Sequence, residues 1–420
     1  MTRTTYTLLL YLLLPFTLLK LLWRARKQPE YLNHWRERYG FYHASSHDPV
    51  IWLHCVSVGE TRAAAPLIKA LLRQYPKHQI LLTHTTPTGR AASEQLFGDT
   101  IQRVYLPYDV PFAVNGFLNQ FKPVLGVLME TELWFNLIAS CKRQDIPLLL
   151  VNARLSEKSA LAYAKIGKLV AGGLQSLSAI AAQTATDAAR LQQLGANNVS
   201  IVGNLKFDVM PPEDVVIQGQ KLRALLGENR TVLLAASTRE GEEAIILDAS
   251  ANIPNLLTII VPRHPQRFSE VESLLKQRGL RYQKRSSLNQ PINQDTRYIL
   301  GDSMGELFTY YAATDIALIG GSLLPFGGQN LIEAAIMGKP ILIGPHTYNF
   351  ADATQSGVEA GAVIQLNYAA ELCEKIEYLI NNKSICEQMS VAAIRFSQAS
   401  TGATEKVLQL LARYLVSQAD

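Results

Sequence analysis

The chain has 420 residues, 48% of them hydrophobic and 18% charged. That length implies two or three domains rather than one core, and that balance excludes a disordered chain. A net charge of +5 without a long Lys/Arg run argues against a nucleic-acid binder and suits anionic small molecules or an anionic membrane surface.

The first element in chain order is apolar. Residues 6–23 (YTLLLYLLLPFTLLKLLW) contain one Lys and one Pro and come close to the roughly 20 residues that span a bilayer. No small-residue cleavage site follows, so the segment reads as an anchor and not as a removed signal. Arg24, Arg26 and Lys27 follow at once, then Arg36 and Arg38, with only Arg3 ahead. The positive-inside rule then keeps the bulk of the chain in the cytoplasm. An interfacial helix is the alternative, because the run is short. The basic residues either set topology or meet anionic lipid, and the sequence leaves both open. Cys55, Cys141, Cys373 and Cys386 have neither zinc nor CxxC spacing and are too few for a disulfide scaffold, which fits a reducing compartment.

Beyond a basic connector, short apolar runs alternate with helical patterns. Strands are predicted at 50–56, 79–85, 103–106, 124–129 and 147–151, and 61–72 has a helical pattern. A second series follows Pro211 and Pro212, a hinge signal, at 231–236, 256–261, 297–300, 316–319, 340–343 and 362–364. Short apolar strands between helices imply parallel sheets covered on both faces, the doubly wound α/β pattern. The expected division is an anchor at 1–24, a first Rossmann-like domain at 25–210, a second at 211–397, and an amphipathic helix at 398–420 that crosses back to the first.

Ligands of open α/β sheets bind beyond the carboxyl ends of strands, so chemistry is sought there. Ser57-Val58-Gly59-Glu60 follows the first strand. Ser57 and Glu60 match a helix capping box, yet a carboxylate at a helix start also stays ionised, as a general base must. Glu130 and Glu132 leave a later strand end, where the helix dipole explains one carboxylate more easily than two. Lys206, in Gly203–Asp208, is suited to pairing with phosphate or carboxylate. In the second half, Arg263 and His264 end a strand, and Arg263 has the fork that binds phosphate. Gly301–Leu307 follows another strand and opens a helix, where amides make an anion site. The Gly320-Gly321-Ser322 and Gly327–Asn330 loops, with Glu333 beyond, are predicted to bring backbone N–H groups to a phosphate, and Glu333 to accept from ribose. A P-loop, a GxGxxG after the first strand, an Asp-x-Asp metal element and a GxSxG elbow are all missing, which argues against NTPases, dehydrogenases, metal-dependent transferases and hydrolases.

The apolar start, HCVSVGE at 54–60, METELW at 129–134, GNLKFD at 203–208, PRHP at 262–265, GDSMGEL at 301–307 and GGQNLIE at 327–333, in this order, resemble the Kdo (3-deoxy-D-manno-oct-2-ulosonic acid) transferase family. The resemblance implies GT-B architecture, two Rossmann-like domains facing a cleft, with the acceptor on the first domain and the CMP-sugar on the second. It implies inverting transfer of Kdo from CMP-Kdo to the lipid A precursor (lipid IVA) at the inner membrane, with no metal and no cofactor. By position, Glu60 looks like the general base, and Glu130 and Lys206 like the groups that stabilise the transition state. Arg263, His264, Met304, Gly305, Glu306, Asn330, Leu331, Ile332 and Glu333 look like the CMP contacts. Cys55-Val56-Ser57 stands where the family commonly has small residues, and Trp134-Phe135 where Trp-Pro is more usual; neither change touches a charged site residue. The rival readings are a GT-B enzyme using a UDP-sugar, a sugar-nucleotide epimerase on the same fold, and a membrane-tethered binding protein without catalysis.

Overall fold

The computed structural model describes residues 1–26, 28–43, 48–399 and 401–415. Lys27, one of the basic residues noted above, and the last part of the predicted C-terminal helix lie outside them. The chain divides into two compact units, Met1–Val209 with Thr401–Asp420, and Met210–Ser400.

The first unit opens with helix α1 (Arg3–Ala25). Its sheet holds strands β1 (Val50–His54), β2 (Gln79–His84), β3 (Gln102–Tyr105), β4 (Pro123–Met129), β5 (Leu148–Ala153), β6 (Ala179–Ala182) and β7 (Val199–Ile201), all parallel, in the order β3-β2-β1-β4-β5-β6-β7. Alternate residues enter different cores. Val50 and Trp52 join the cluster on one face, while Ile51, Leu53 and Cys55 join the cluster on the other. A strand buried on both faces has to be apolar throughout, which is why these runs do not alternate with polar residues. Gly126 of β4 lacks a side chain for a packing reason, because a Cβ there would meet Trp52 at 2.8 Å and Leu148 at 2.6 Å.

The second unit repeats the plan with β8 (Thr231–Thr238), β9 (Leu256–Pro262), β10 (Tyr282–Lys284), β11 (Tyr298–Leu300), β12 (Ile316–Ile319), β13 (Ile341–Ile343) and β14 (Val363–Gln365). These strands are also parallel, in the order β10-β11-β9-β8-β12-β13-β14. In both sheets the order reverses beside the first strand, between β1 and β4 and between β8 and β12. A crevice opens at such a reversal because the flanking crossovers go to opposite faces. The loops after β1, β4, β8 and β12 are therefore the ones to inspect.

The helix Ala403–Leu415 belongs to the first unit, where Ala403, Val407, Leu411 and Leu415 enter its core. Asp208 holds its start. One carboxylate oxygen accepts from the Gly402 amide at 2.6 Å and the other from the Thr404 amide. Asp208→Ala removes both acceptors and is expected to destabilise this helix by roughly 1–2 kcal/mol. Hydrogen exchange should then quicken at residues 403–415 before the rest of the unit.

Candidate active site

Helix α2 (Val58–Gln74) starts four residues after β1, and its first turn carries Glu60. The capping box forms, and it is reciprocal. Ser57 Oγ accepts the Glu60 amide at 3.3 Å and donates to Glu60 Oε1 at 2.9 Å, while Glu60 Oε2 accepts the Val56 amide at 2.8 Å. The side chain is thereby fixed in one orientation and only 8% of the residue is exposed. Burial lifts its pKa to about 7, with the charges of Glu130 and Glu132 adding to the rise and the Val56 and Ser57 hydrogen bonds opposing it. A carboxylate that changes charge near neutrality is matched to proton transfer. Gly59 beside it has no left-handed φ, and a Cβ there would meet nothing nearer than Ser57 Oγ at 3.7 Å. Neither backbone strain nor crowding within the protein accounts for a glycine there.

β1 and β4 run in register, His54 opposite Leu128, so the loops that follow them emerge level with one another. The Glu130 amide donates to Val151 O at 2.9 Å, adding one rung beyond β4, and Glu130 itself turns into the left-handed region at φ 60°. A non-glycine residue held there is strained, and such strain collects at functional sites. Lys206 Nζ lies 3.1 Å from Glu130 Oε1, with both side chains about a fifth exposed, at 20% and 24%. The short helix Leu205–Asp208 carries Lys206, and Asn204 caps it by accepting the Lys206 amide at 3.0 Å. Asn152, buried and left-handed at φ 55°, accepts the Leu205 amide at 3.1 Å. Nothing in the local sequence singles out Asn152, yet it ties the lysine's turn to the end of β5. Glu132 joins the same electrostatic group, and burial raises its own pKa.

His54 and His84 sit under this edge and are neutral. Burial drives His54 down to about 3 and His84 to about 4. His54 faces Thr83, and His84 bridges Cys55 O and Ser93 Oγ at 2.9 and 3.0 Å. Their work is to support the β1 and β2 ends.

In the second unit, Arg263 follows β9, donating its amide to Thr238 O at 3.0 Å and its Nε to Gln329 Oε1 at 3.2 Å. Burial and the cations Arg263, Arg239 and Arg267 lower the pKa of His264. Arg239, at the end of β8 and over the Phe326 ring at 4.5 Å, thus belongs to this positive cluster and was not expected from the sequence. Met304 is exposed, Gly305 is left-handed at φ 82°, and Glu306 pairs with Arg285 at 2.7 Å. Asn330 Oδ1 accepts the Ile332 amide at 3.1 Å and its Nδ2 donates to Glu333 Oε1 at 3.2 Å. Leu331 and Ile332 are fully buried, so only their backbone is available to a ligand.

The glycine loops differ from expectation. Gly321 and Leu323 donate their amides to the buried carboxylate of Glu242, at 2.6 and 2.8 Å, and Glu242 also accepts from the Arg239 amide at 2.8 Å. The Gly328 and Gln329 amides donate to Gly321 O and Gly320 O. These N–H groups are engaged inside the protein, not aimed at a phosphate. Gly320 is required by contact, since a Cβ would come within 2.5 Å of Ser237 O. Glu242 and Glu243 stand in the first turn of the helix Glu242–Ser250. The structure buries both, Glu243 against Arg267 at 2.6 Å.

Two parallel doubly wound units in one chain, each with polar groups gathered where strand order reverses, are the architecture of the GT-B fold. Solved structures share this fold: a glycosyltransferase from Rickettsia africae, at TM-score 0.59 and 13% identity, covers 88% of this chain and 99% of its own. A UDP-GlcNAc 2-epimerase from Neisseria meningitidis, at TM-score 0.56 and 17% identity, covers 87% and 100%. Sequence narrows the class. A family model described as 3-deoxy-D-manno-octulosonic-acid transferase (kdotransferase) matches residues 33–209. The 3-deoxy-D-manno-octulosonic acid transferase of Bordetella pertussis is 40% identical, over 99% of this chain and 100% of its own, and that of Haemophilus influenzae 39% identical, over 99% of each. The chain belongs to the Kdo transferase family and is a glycosyltransferase.

Proposed function

We propose that this protein transfers Kdo from CMP-Kdo to the lipid A precursor with inversion and without a metal, at the cytoplasmic face of the inner membrane. The observation that carries the reading is Glu60, a fixed, buried carboxylate with a pKa of about 7 at the switch point of the first sheet, coupled to Glu130. Glu60 takes the proton from the acceptor hydroxyl as the oxygen attacks the anomeric carbon. The bond from that carbon to the phosphate oxygen breaks, and CMP leaves with the electron pair. Attack opposite the leaving group inverts the centre. Positive charge develops on the sugar and negative charge on the phosphate, so a carboxylate and a cation held as Glu130 and Lys206 are suited to both. Arg263 and His264, Met304 with Gly305 and Glu306, and Asn330 to Glu333 are proposed to hold CMP, Leu331 and Ile332 through their backbone. The apolar length of α1, whose mean hydropathy reaches 1.7, supports the membrane reading.

The test is purified protein with CMP-Kdo and a tetra-acylated lipid A precursor, with products resolved by mass and by anomeric configuration. Kdo added with inversion, and competition by CMP but not UDP, is expected. No product, or competition by UDP alone, overturns the reading. A pH signature should accompany it. Glu60 is active when ionised, so kcat/KM rises as pH passes through about 7 and then levels. Glu132→Gln removes a like charge and should move that acid limb to lower pH; an unmoved limb would show that another group titrates.

A further inference from the structure

Helix α1 has two unlike sides. Along it, Leu21 is buried and Tyr6, Thr7, Leu10, Leu14 and Thr17 are half-buried, while Leu8, Leu12, Phe16, Leu19 and Trp23 are each 60% or more exposed. At about 100° per residue the two sets centre on opposite sides of the helix. The covered side meets its own unit along the length of the helix. Tyr6 donates to Asp109 Oδ2 at 2.9 Å and Thr7 to Asn136 Oδ1 at 2.8 Å. The Tyr11 ring stacks on Phe112 at 6.4 Å, Thr17 Oγ1 lies 2.8 Å from Tyr39 Oη, and Arg24 covers the Tyr31 ring at 5.3 Å. Asp109 is buried and already accepts the Asn136 and Leu137 amides, so α1 plugs into a fixed polar socket. A helix upright in the bilayer would carry Asp109, Asn136 and the exposed Lys142 and Arg143 into hydrocarbon, where polar groups are rare and costly.

The charges that flank the apolar side also identify its partner. The helix has no acidic residue, and Arg3, Lys20, Arg24 and Arg26 are exposed along it. A cavity of about 270 Å³ opens where its first turns meet helix Phe135–Arg143, lined by Arg3, Thr4, Thr7, Asn136, Ser140 and Arg143 among others. Cations and hydroxyls beside a row of leucines match a phospholipid, phosphate above and acyl chains below.

We propose that α1 is an in-plane, monotopic anchor: it stays docked on its own unit, beds its Leu/Phe/Trp face in an anionic bilayer, and seats a lipid phosphate between Arg3 and Arg143. This rests on the membrane reading above and replaces a spanning helix with a lying one. The test uses the full chain in cells and in membranes made from them. A single Thr4→Cys variant is labelled with a membrane-impermeant maleimide in intact spheroplasts and in inverted vesicles, against the parent chain as background. The Thr7→Cys/Asn136→Cys pair is oxidised in the same membranes. Membrane-bound protein labelled at position 4 only in inverted vesicles, with a 7–136 disulfide formed, is expected. So is a several-fold loss of binding to phosphatidylglycerol vesicles, but not to phosphatidylcholine vesicles, in Arg3→Gln/Arg143→Gln. Labelling from outside the spheroplasts overturns the proposal and leaves membrane attachment standing. Protein found in the soluble fraction overturns both. Equal loss on both lipids overturns the phosphate seat.

Discussion

Glu60→Gln is expected to lower kcat by about 10²–10⁴-fold while leaving the affinity for the donor and the fold unchanged. The substitution separates the cap that the residue forms from the base that it is proposed to be. The amide oxygen of Gln still accepts the Val56 amide, and its nitrogen donates to Ser57 Oγ where the carboxylate accepted from it, so the capping box still closes. Loss of a cap costs about 1 kcal/mol where it happens, and here it does not happen. What disappears is a group that takes a proton near neutrality. The measurements are single-turnover rates at saturating donor, CMP affinity by calorimetry, and thermal unfolding. An unfolding temperature moved by several degrees with turnover nearly intact would make Glu60 a cap and no more. The pH profile adds a second readout. The limb near pH 7 should vanish in Glu60→Gln.

Much of this site could be read from the residues alone, and the limits are physical. The S-x-x-E spacing announces the cap, and the structure forms it. The pKa of Glu60 is not in the spacing, because it arises from burial and from Glu130 and Glu132, which approach only when β4 lies beside β1. The same distinction runs through the fold. Strands of branched and leucine-rich sequence, such as LLTIIVP in β9, announce themselves. β6 (AIAA), β7 (VSI) and β10 (YQK) do not. Alanine has little strand preference, and β6 is a strand because β5 and β7 supply its ladder. β10 is a half-buried edge, so it has no apolar run to detect. Glu242 is the sharpest case. Its partners Gly321 and Leu323 lie 79 and 81 residues away, and no local signal distinguishes it from any acid at a helix start. The glycines after β12 suggested amides free for phosphate; the tertiary structure turns the Gly321 amide onto Glu242 and the Gly320 and Gly328 amides onto backbone carbonyls, and leaves the cations Arg239 and Arg263 as groups suited to an anion.

Lys206→Met is expected to lower kcat/KM by about 10²–10³-fold with little effect on stability. The stability side follows from exposure. A pair about one-fifth exposed contributes roughly 1 kcal/mol or less, and Asn152 and Asn204 hold the turn through Leu205 and Lys206 backbone amides that methionine retains. The catalytic side follows from what is stranded. Without Lys206, Glu130 stands beside Glu60 without its counter-ion, while any anionic donor group loses a cation. Two effects of opposite sign on the acid limb then separate the members of the pair. Lys206→Met leaves Glu130 uncompensated, raises the pKa of Glu60 further and moves the limb to higher pH. Glu130→Gln removes the repulsion and moves it to lower pH, at reduced maximal rate. The double variant should resemble the worse single variant and not their product, because each member acts through the other. Multiplicative losses would mean that Glu130 and Lys206 work independently, and would reduce their 3.1 Å contact to a surface ion pair.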